Sequence, residues 1–148
     1  MSGNKQQAMI ASLGTMVQWR STEVERLQAD LASQEATRTR YQNNLARLAS
    51  LAEGSGASGA LPLALALNCG AYKQNVMAMA DAHKVDLHLH EANMAVSQRK
   101  LTDAWTRREL LGKVLEQQQA LAARDRERAT RKREDDIATQ SWMAGRTA

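Results

Sequence analysis

Apolar residues in the first third of the chain recur at alternating steps of four and three residues. From Leu13 these steps reach twelve positions, nine of them apolar. The positions are Leu13, Val17, Arg20, Val24, Leu27, Leu31, Gln34, Arg38, Tyr41, Leu45, Leu48 and Ala52. This spacing forms one stripe along a helix and is typical of a coiled-coil seam. It predicts a first helix over about residues 5–52.

A looser pattern of the same kind follows a break in the middle of the chain. Its positions are Tyr72, Val76, Met79, His83, Leu87, His90, Met94, Ser97, Leu101, Trp105, Leu111 and Leu115. The intervening residues 53–61 are rich in Gly and Ser and are followed by Pro62, which predicts a loop and then a helix start. The second helix is expected over about residues 62–144. Helices joined by a short loop fold back on each other. The prediction is therefore one all-α domain over 1–148, a long two-helix antiparallel coiled-coil hairpin with a longer second helix.

The unequal helix lengths predict an unpaired end. Folding about the loop places Leu13 near Leu101 and leaves the chain after about Glu109 without a partner. From 123 to 136 no side chain is both apolar and larger than alanine, yet no Pro or Gly interrupts the helix. Oppositely charged pairs four residues apart, such as Glu127 and Arg131, support a lone helix by a few tenths of a kcal/mol each. They do not explain what this helix is for.

Composition favours an extended helical protein over a globule. The 148 residues include no Phe, two Tyr and three Trp, so few bulky side chains could fill a globular core. The net charge of +4 comes from 20 basic and 16 acidic residues of interspersed sign. A dedicated nucleic-acid binder usually gathers its positive charge on one face. The mild positive excess permits an acidic protein partner or a weak affinity for a membrane surface and demands neither.

Neither catalysis nor a cofactor is expected. Cys69 is the only cysteine, which excludes an internal disulfide and fits a reducing compartment. A catalytic thiol needs a base and an orienting group, and the hairpin offers no pocket for them. The Gly/Ser stretch lacks the lysine of a phosphate-binding loop. No apolar run is long enough to span a bilayer or to act as a secretion signal, so a cytoplasmic protein is expected.

The three histidines admit two interpretations. His83, His88 and His90 could suggest a metal site, but metal-binding helices prefer ligands three or four residues apart. The alternative, which we favour, makes His83 and His90 polar seam residues that set the register of the hairpin, together with Ser97.

The charged C-terminal segment also admits two interpretations. Its basic residues interleave with acidic ones and no aromatic residue is available for base stacking, which favours a solvated helix over a nucleic-acid site. Beyond it lie Ile137, Trp142 and Met143. A tryptophan at an exposed helix end is either a binding anchor or an indifferent terminus.

Three passages carry a likeness to a known family: TRYQNNLARL (39–48), LTDAWTRRELLGKVLEQ (101–117) and RKREDDIA (131–138). In order and spacing the chain resembles the FliJ family of flagellar type III export proteins, and the related stalk proteins of virulence needle systems. The resemblance implies a non-enzymatic stalk that inserts helix termini into a hexameric export ATPase and stimulates it. It also implies contacts with the cytoplasmic domain of the membrane export gate protein and with export chaperones, and a membrane association only through these partners.

The resemblance assigns residues to two contacts. The ATPase contact would involve Met9, Ile10, Arg131, Arg133, Asp135, Ile137 and Trp142, with the apolar tip beside the start of helix 1. The export-gate contact would involve Gln34, Tyr41, Tyr72, Val76 and His83. Tyr41, Tyr72 and Val76 can equally be seam residues. Three alternatives remain open. They are the equivalent stalk protein of a virulence type III secretion system, a generic coiled-coil adaptor or self-associating structural protein, and a nucleic-acid-binding helical hairpin.

Overall fold

The structure, a computed structural model, describes residues 2–55, 59 and 62–146. It contains two helices, α1 (Ser2–Gly54) and α2 (Leu63–Arg146), and no strand among the described residues. The predicted all-α two-helix hairpin with a longer second helix is confirmed. Residues 56–58, 60 and 61 of the predicted loop lie outside the described residues.

The helix boundaries follow from local chemistry. The Pro62 carbonyl accepts hydrogen bonds from the backbone N–H groups of Leu65 and Ala66, both at 3.0 Å, so Pro62 occupies the N-cap of α2. After α1, the Ser55 hydroxyl donates to the carbonyl of Ala52 at 3.0 Å, which satisfies a carbonyl that lacks a helical partner. Gly59 has a φ of 95°, a conformation that glycine adopts without a Cβ clash.

The chain divides into two compact units. The loop unit comprises Val24–Asp103, and the terminal unit comprises Met1–Glu23 with Ala104–Ala148. Each unit pairs a segment of α1 with a segment of α2. In the loop unit Gln34 contacts Ser97 and Tyr41 contacts His83. Because the α2 partner number falls as the α1 number rises, the two segments run antiparallel.

The α1 seam is as predicted. All twelve seam positions from Leu13 to Ala52 are buried or partly buried, and Val24 is the most buried of them. Large apolar residues at regular steps therefore identified this face correctly.

The predicted α2 seam is wrong at three positions. Tyr72, Met79 and Trp105 are exposed, whereas Ala80 is partly buried and Ala104 is buried. The observed seam follows strict steps of four and three from Val76. Its positions are Val76, Ala80, His83, Leu87, His90, Met94, Ser97 and Leu101 in the loop unit and Ala104, Arg108, Leu111, Leu115, Gln118 and Ala122 in the terminal unit. Steady periodicity outweighs side-chain size because a residue one position off the stripe is turned about 100° from it.

The predicted register is also wrong. In the loop unit, Ala52 and Glu53 near the end of α1 line a groove with Lys73 and Met77 of α2. Pairing with α1 thus begins near Lys73, about ten residues after α2 starts. The prediction assumed that the hairpin folds about the midpoint of its loop, but a connection between two helices need not be symmetric.

The shifted register extends the pairing in the terminal unit. Arg108 Nε donates to Ser21 Oγ at 3.3 Å, and Ile10 lines a groove with Ala122 and Arg126. The chain after Glu109 therefore has a partner in α1 for several more turns, contrary to the sequence prediction. Leu13 belongs to this pairing and not beside Leu101.

Every described residue from Ala123 to Arg146 is exposed. Of these residues, Asp125, Arg126 and Ala129 still line a groove with the first turns of α1. We call residues 131–146 the terminal segment. Among the described residues, no helix combines the length and apolarity needed to cross a bilayer.

Candidate functional site

A polar cluster interrupts the apolar seam of the loop unit at Gln34. The Gln34 amide Nε2 donates to Ser97 Oγ at 3.0 Å, and the Gln34 backbone carbonyl lies 2.8 Å from His90 Nε2. Since a carbonyl only accepts, Nε2 of His90 carries the proton. Gln34 of α1 therefore contacts two polar seam residues of α2, Ser97 through its side chain and His90 through its backbone carbonyl.

Tyr41 continues this cluster with its ring. Its centroid lies 4.9 Å from that of His83 and 5.6 Å from that of His90, with both ring pairs tilted. Such tilted pairs contribute about 0.5–1.5 kcal/mol beyond the burial of their area. Gln34, Tyr41 and His83, three of the predicted gate residues, thus belong to one continuous set of seam contacts.

The other two predicted gate residues differ sharply in accessibility. Val76 is 4% exposed, whereas Tyr72 is 48% exposed. Val76 is a core residue of the loop unit. About half of the Tyr72 side chain is accessible to solvent.

An ion pair borders the polar cluster. Arg38 Nε donates to the Glu91 carboxylate at 3.0 Å, and Arg38 Nη1 donates to the Glu35 carboxylate at 3.1 Å. The hydrogen bonds to Glu91 and then to Glu35 raise the pKa of the Arg38 guanidinium above its usual range. The guanidinium joins α1 to α2 and supports the observed register.

The histidines do not converge on one point. His83 and His90 pack on Tyr41, whereas His88 is exposed, with Nδ1 3.6 Å from the Glu91 carboxylate. Among the described residues no three His, Cys, Asp or Glu side chains are grouped to hold a metal ion. His83 Nε2 is buried without a hydrogen bond from any described residue.

The terminal segment presents the second candidate site. At about 100° per residue, Arg131, Asp135 and Trp142 share one face of α2. Arg133 and Ile137 share the opposite face. All five are exposed. Functional contacts on both faces would require a partner that encloses the helix, because a flat partner surface reaches only one of them.

Trp142 is the largest side chain of this segment. It is 60% exposed, and the Arg146 guanidinium carbon lies 4.7 Å from its ring centroid. A guanidinium over an indole face is a cation–π contact. Upstream, Arg131 lies 3.9 Å from Glu127, one of the predicted four-apart pairs.

Met9 and Ile10 do not lie beside the apolar tip, contrary to the sequence expectation. Ile10 is partly buried and lines a groove with Ala122 and Arg126 of α2, and Met9 is exposed nearby. Because the two helices run in opposite directions, residues beyond Arg131 extend past the start of α1. The physical reason is the shifted register described above.

These features define the class of the protein. Two paired helices, with an apolar seam that a polar cluster interrupts and an exposed, charged helix end, form a coiled-coil hairpin.

Comparison with known families identifies the family of this chain. The profile of the flagellar FliJ protein family matches residues 9–147, nearly the whole chain. The chain belongs to this family and is a component of flagellar type III protein export. The members of the family are export components and not enzymes. Searches of curated proteins and of solved structures found no match.

Proposed function

We propose that the chain is the stalk of the flagellar export ATPase, which binds the hexameric ring through the terminal segment and stimulates ATP hydrolysis without binding nucleotide itself. The observation that carries this proposal is the exposure of every described residue from Ala123 to Arg146. A helix end in which every side chain is largely exposed gains little stability from packing within the chain, and a partner that covers it would supply that stability.

The proposed contact residues of the terminal segment lie on two opposite faces of the helix, which favours a ring-shaped partner. Arg131, Asp135 and Trp142 project from one face and Arg133 and Ile137 from the other. The central hole of a hexamer surrounds an inserted helix and reaches both faces at once. The alternating charges suit a ring lining that itself carries both signs. Met9 lies closer to the paired part of the terminal unit and would contact the rim.

The loop unit would serve the second partner, the cytoplasmic domain of the export gate. Of the predicted contacts, Tyr72 is ready to bind without rearrangement, whereas Val76 is covered. Gln34, Tyr41 and His83 would act mainly by fixing the register that presents Tyr72. Export chaperones would bind the same protein, and these contacts would hold it in the cytoplasm at the inner-membrane export apparatus.

Binding to the purified hexameric ATPase tests the proposal. Trp142→Ala should weaken binding at least about tenfold, as expected of an anchor tryptophan. Trp19→Ala is the matched control, because Trp19 is 61% exposed and also carries an arginine, Arg20, 4.7 Å from its ring centroid. Equal loss in both variants, or in neither, would argue against the terminal segment as the ring-binding element.

A further inference from the structure

The outward side of α2 in the loop unit carries a second apolar stripe. Its six members are apolar, exposed, and separated by alternating steps of four and three. We call it the outer stripe, and it consists of Ala78, Ala82, Val85, Leu89, Ala92 and Val96. The next positions in the series are Asn75 and Arg99, so polar residues bound it at both ends.

This stripe is separate from the seam that binds α1. At 100° per residue the outer stripe and the seam of Val76 and His83 point to nearly opposite sides of α2. Val85, Leu89 and Val96 are 67%, 63% and 51% exposed. Residues 76–97 of α2 therefore carry two apolar faces. One of them packs against α1, and the other is exposed. An open apolar stripe of this regularity marks an interaction surface.

The spacing identifies the shape of what covers it. Steps of four and three keep a straight seam on one side of a helix, which is the pattern that knobs-into-holes packing with another helix requires. From Ala78 to Val96 the stripe runs for about 27 Å, the length of about five helical turns. An amphipathic helix of matching length is the occupant that fits.

The charges beside the stripe identify the chemistry of that helix. The residues that flank it are Met79, Asp81, Asp86, His88, Asn93 and Ala95. Asp81 and Asp86 are acidic, and no Lys or Arg stands at these positions. Lys84 Nζ lies 3.0 Å from the Asp81 carboxylate, but both side chains are largely exposed, so the pair is weak. The border favours Lys or Arg on the incoming helix.

The same charges disfavour two other occupants. In a parallel pair of two copies, Asp81 of one chain would face Asp86 of the other. In an antiparallel pair the two Asp86 side chains would face each other. Like charges at these positions destabilise a coiled coil. A lipid surface favours helices with basic residues beside the apolar face, and this border is acidic.

We propose that the outer stripe is a docking surface for an amphipathic helix of another protein, whose apolar seam is flanked by lysine or arginine. The interaction uses the loop unit alone. It is independent of the terminal segment, so failure of the ATPase proposal leaves it intact.

Two synthetic amphipathic peptides of about three heptads test it. They share one apolar seam and differ only in carrying Lys or Glu at the flanking positions, and their binding to the full chain is followed by fluorescence anisotropy. The Lys peptide should bind at least about tenfold more tightly than the Glu peptide. The double variant Val85→Gln/Leu89→Gln should weaken the Lys peptide at least about tenfold. Leu110→Gln is the matched control, because Leu110 is 59% exposed in the terminal unit.

Charge reversal sharpens the test. The double variant Asp81→Lys/Asp86→Lys should reverse the preference and favour the Glu peptide. Equal affinity for both peptides, or full binding by the Val85→Gln/Leu89→Gln variant, would overturn the proposal. Sedimentation equilibrium and flotation with phosphatidylcholine/phosphatidylglycerol vesicles address the other occupants. A dimer or a vesicle-bound fraction that Leu89→Gln abolishes would replace the partner helix by a second copy or by lipid.

Discussion

The ring of His90 donates a hydrogen bond from Nε2 to the backbone carbonyl oxygen of Gln34, and the two atoms lie 2.8 Å apart across the two helices. The acceptor is a backbone carbonyl, which every residue of α1 carries, so this bond alone does not select the register. It satisfies a partly buried ring nitrogen. The register itself is specified by side-chain contacts, Gln34 with Ser97 and Arg38 with Glu91.

His90→Ala should lower the free energy of unfolding by roughly 1–3 kcal/mol, since it removes a hydrogen bond worth about 1 kcal/mol and the ring contact with Tyr41. Denaturant unfolding followed by circular dichroism measures the change. His88→Ala is the control, because His88 is exposed two residues earlier on the same helix. Similar loss in both variants would show that the ring of His90 has no special place in the seam.

Alanine substitutions at Tyr41 and Tyr72 should separate an effect on stability from an effect on gate binding. Tyr41→Ala removes ring contacts with two histidines and should cost roughly 1–3 kcal/mol of stability. Tyr72→Ala should change stability by less than about 0.5 kcal/mol, because the side chain is largely exposed. Affinity for the purified cytoplasmic gate domain should nonetheless fall in the Tyr72→Ala protein. Unchanged gate affinity there, with intact helicity, would remove Tyr72 from the contact.

Ala122 tests how far the pairing of the terminal unit extends. It is buried beside a groove that Ile10 lines, so Ala122→Glu places a charge in the seam and should cost roughly 1–3 kcal/mol. Hydrogen exchange should show faster exchange of backbone amides in residues 4–14. Ala123→Glu, at the next and exposed position, should leave that exchange unchanged. Unaltered exchange in the Ala122→Glu protein would restore the earlier expectation that α2 is unpaired after about Glu109.

Much of this fold could be predicted from the sequence because its core is a periodic line of residues. On α1 large apolar side chains occupy most seam positions, and the prediction was correct throughout. On α2 the seam includes Ala80 and Ala104, which carry little hydrophobic signal. The exposed Met79 and Trp105 carry more, and they diverted the prediction by one residue.

The register could not be predicted from periodicity, because every slip of seven residues presents a similar apolar face. It is specified by particular polar contacts, such as Arg38 with Glu91 and Gln34 with Ser97. Those partners lie more than fifty residues apart in sequence, so their pairing emerges only when the helices are placed together. The sequence prediction put Ile10 beside the apolar tip because it assumed the wrong register.

The sequence also carried information on the candidate sites. The exposed end of α2 was predictable because the segment before Ile137 has nothing to bury. The outer stripe was also present in the sequence, since its six positions obey the same steps as the seam. Over residues 76–97 the outer stripe, with Val85 and Leu89, is more hydrophobic than the seam, which carries His83 and His90. The sequence prediction nevertheless placed His83 and His90 on the seam, and the structure agrees.

The most direct test of the stalk proposal is ATP hydrolysis by the purified export ATPase with four added proteins: the full chain, a chain ending at Thr130, Trp142→Ala and Trp19→Ala. The chain ending at Thr130 retains every seam residue, and circular dichroism checks that its helices persist. The full chain and Trp19→Ala should stimulate turnover, whereas the truncated chain and Trp142→Ala should stimulate it several-fold less. Equal stimulation by all four would contradict a ring contact through the terminal segment.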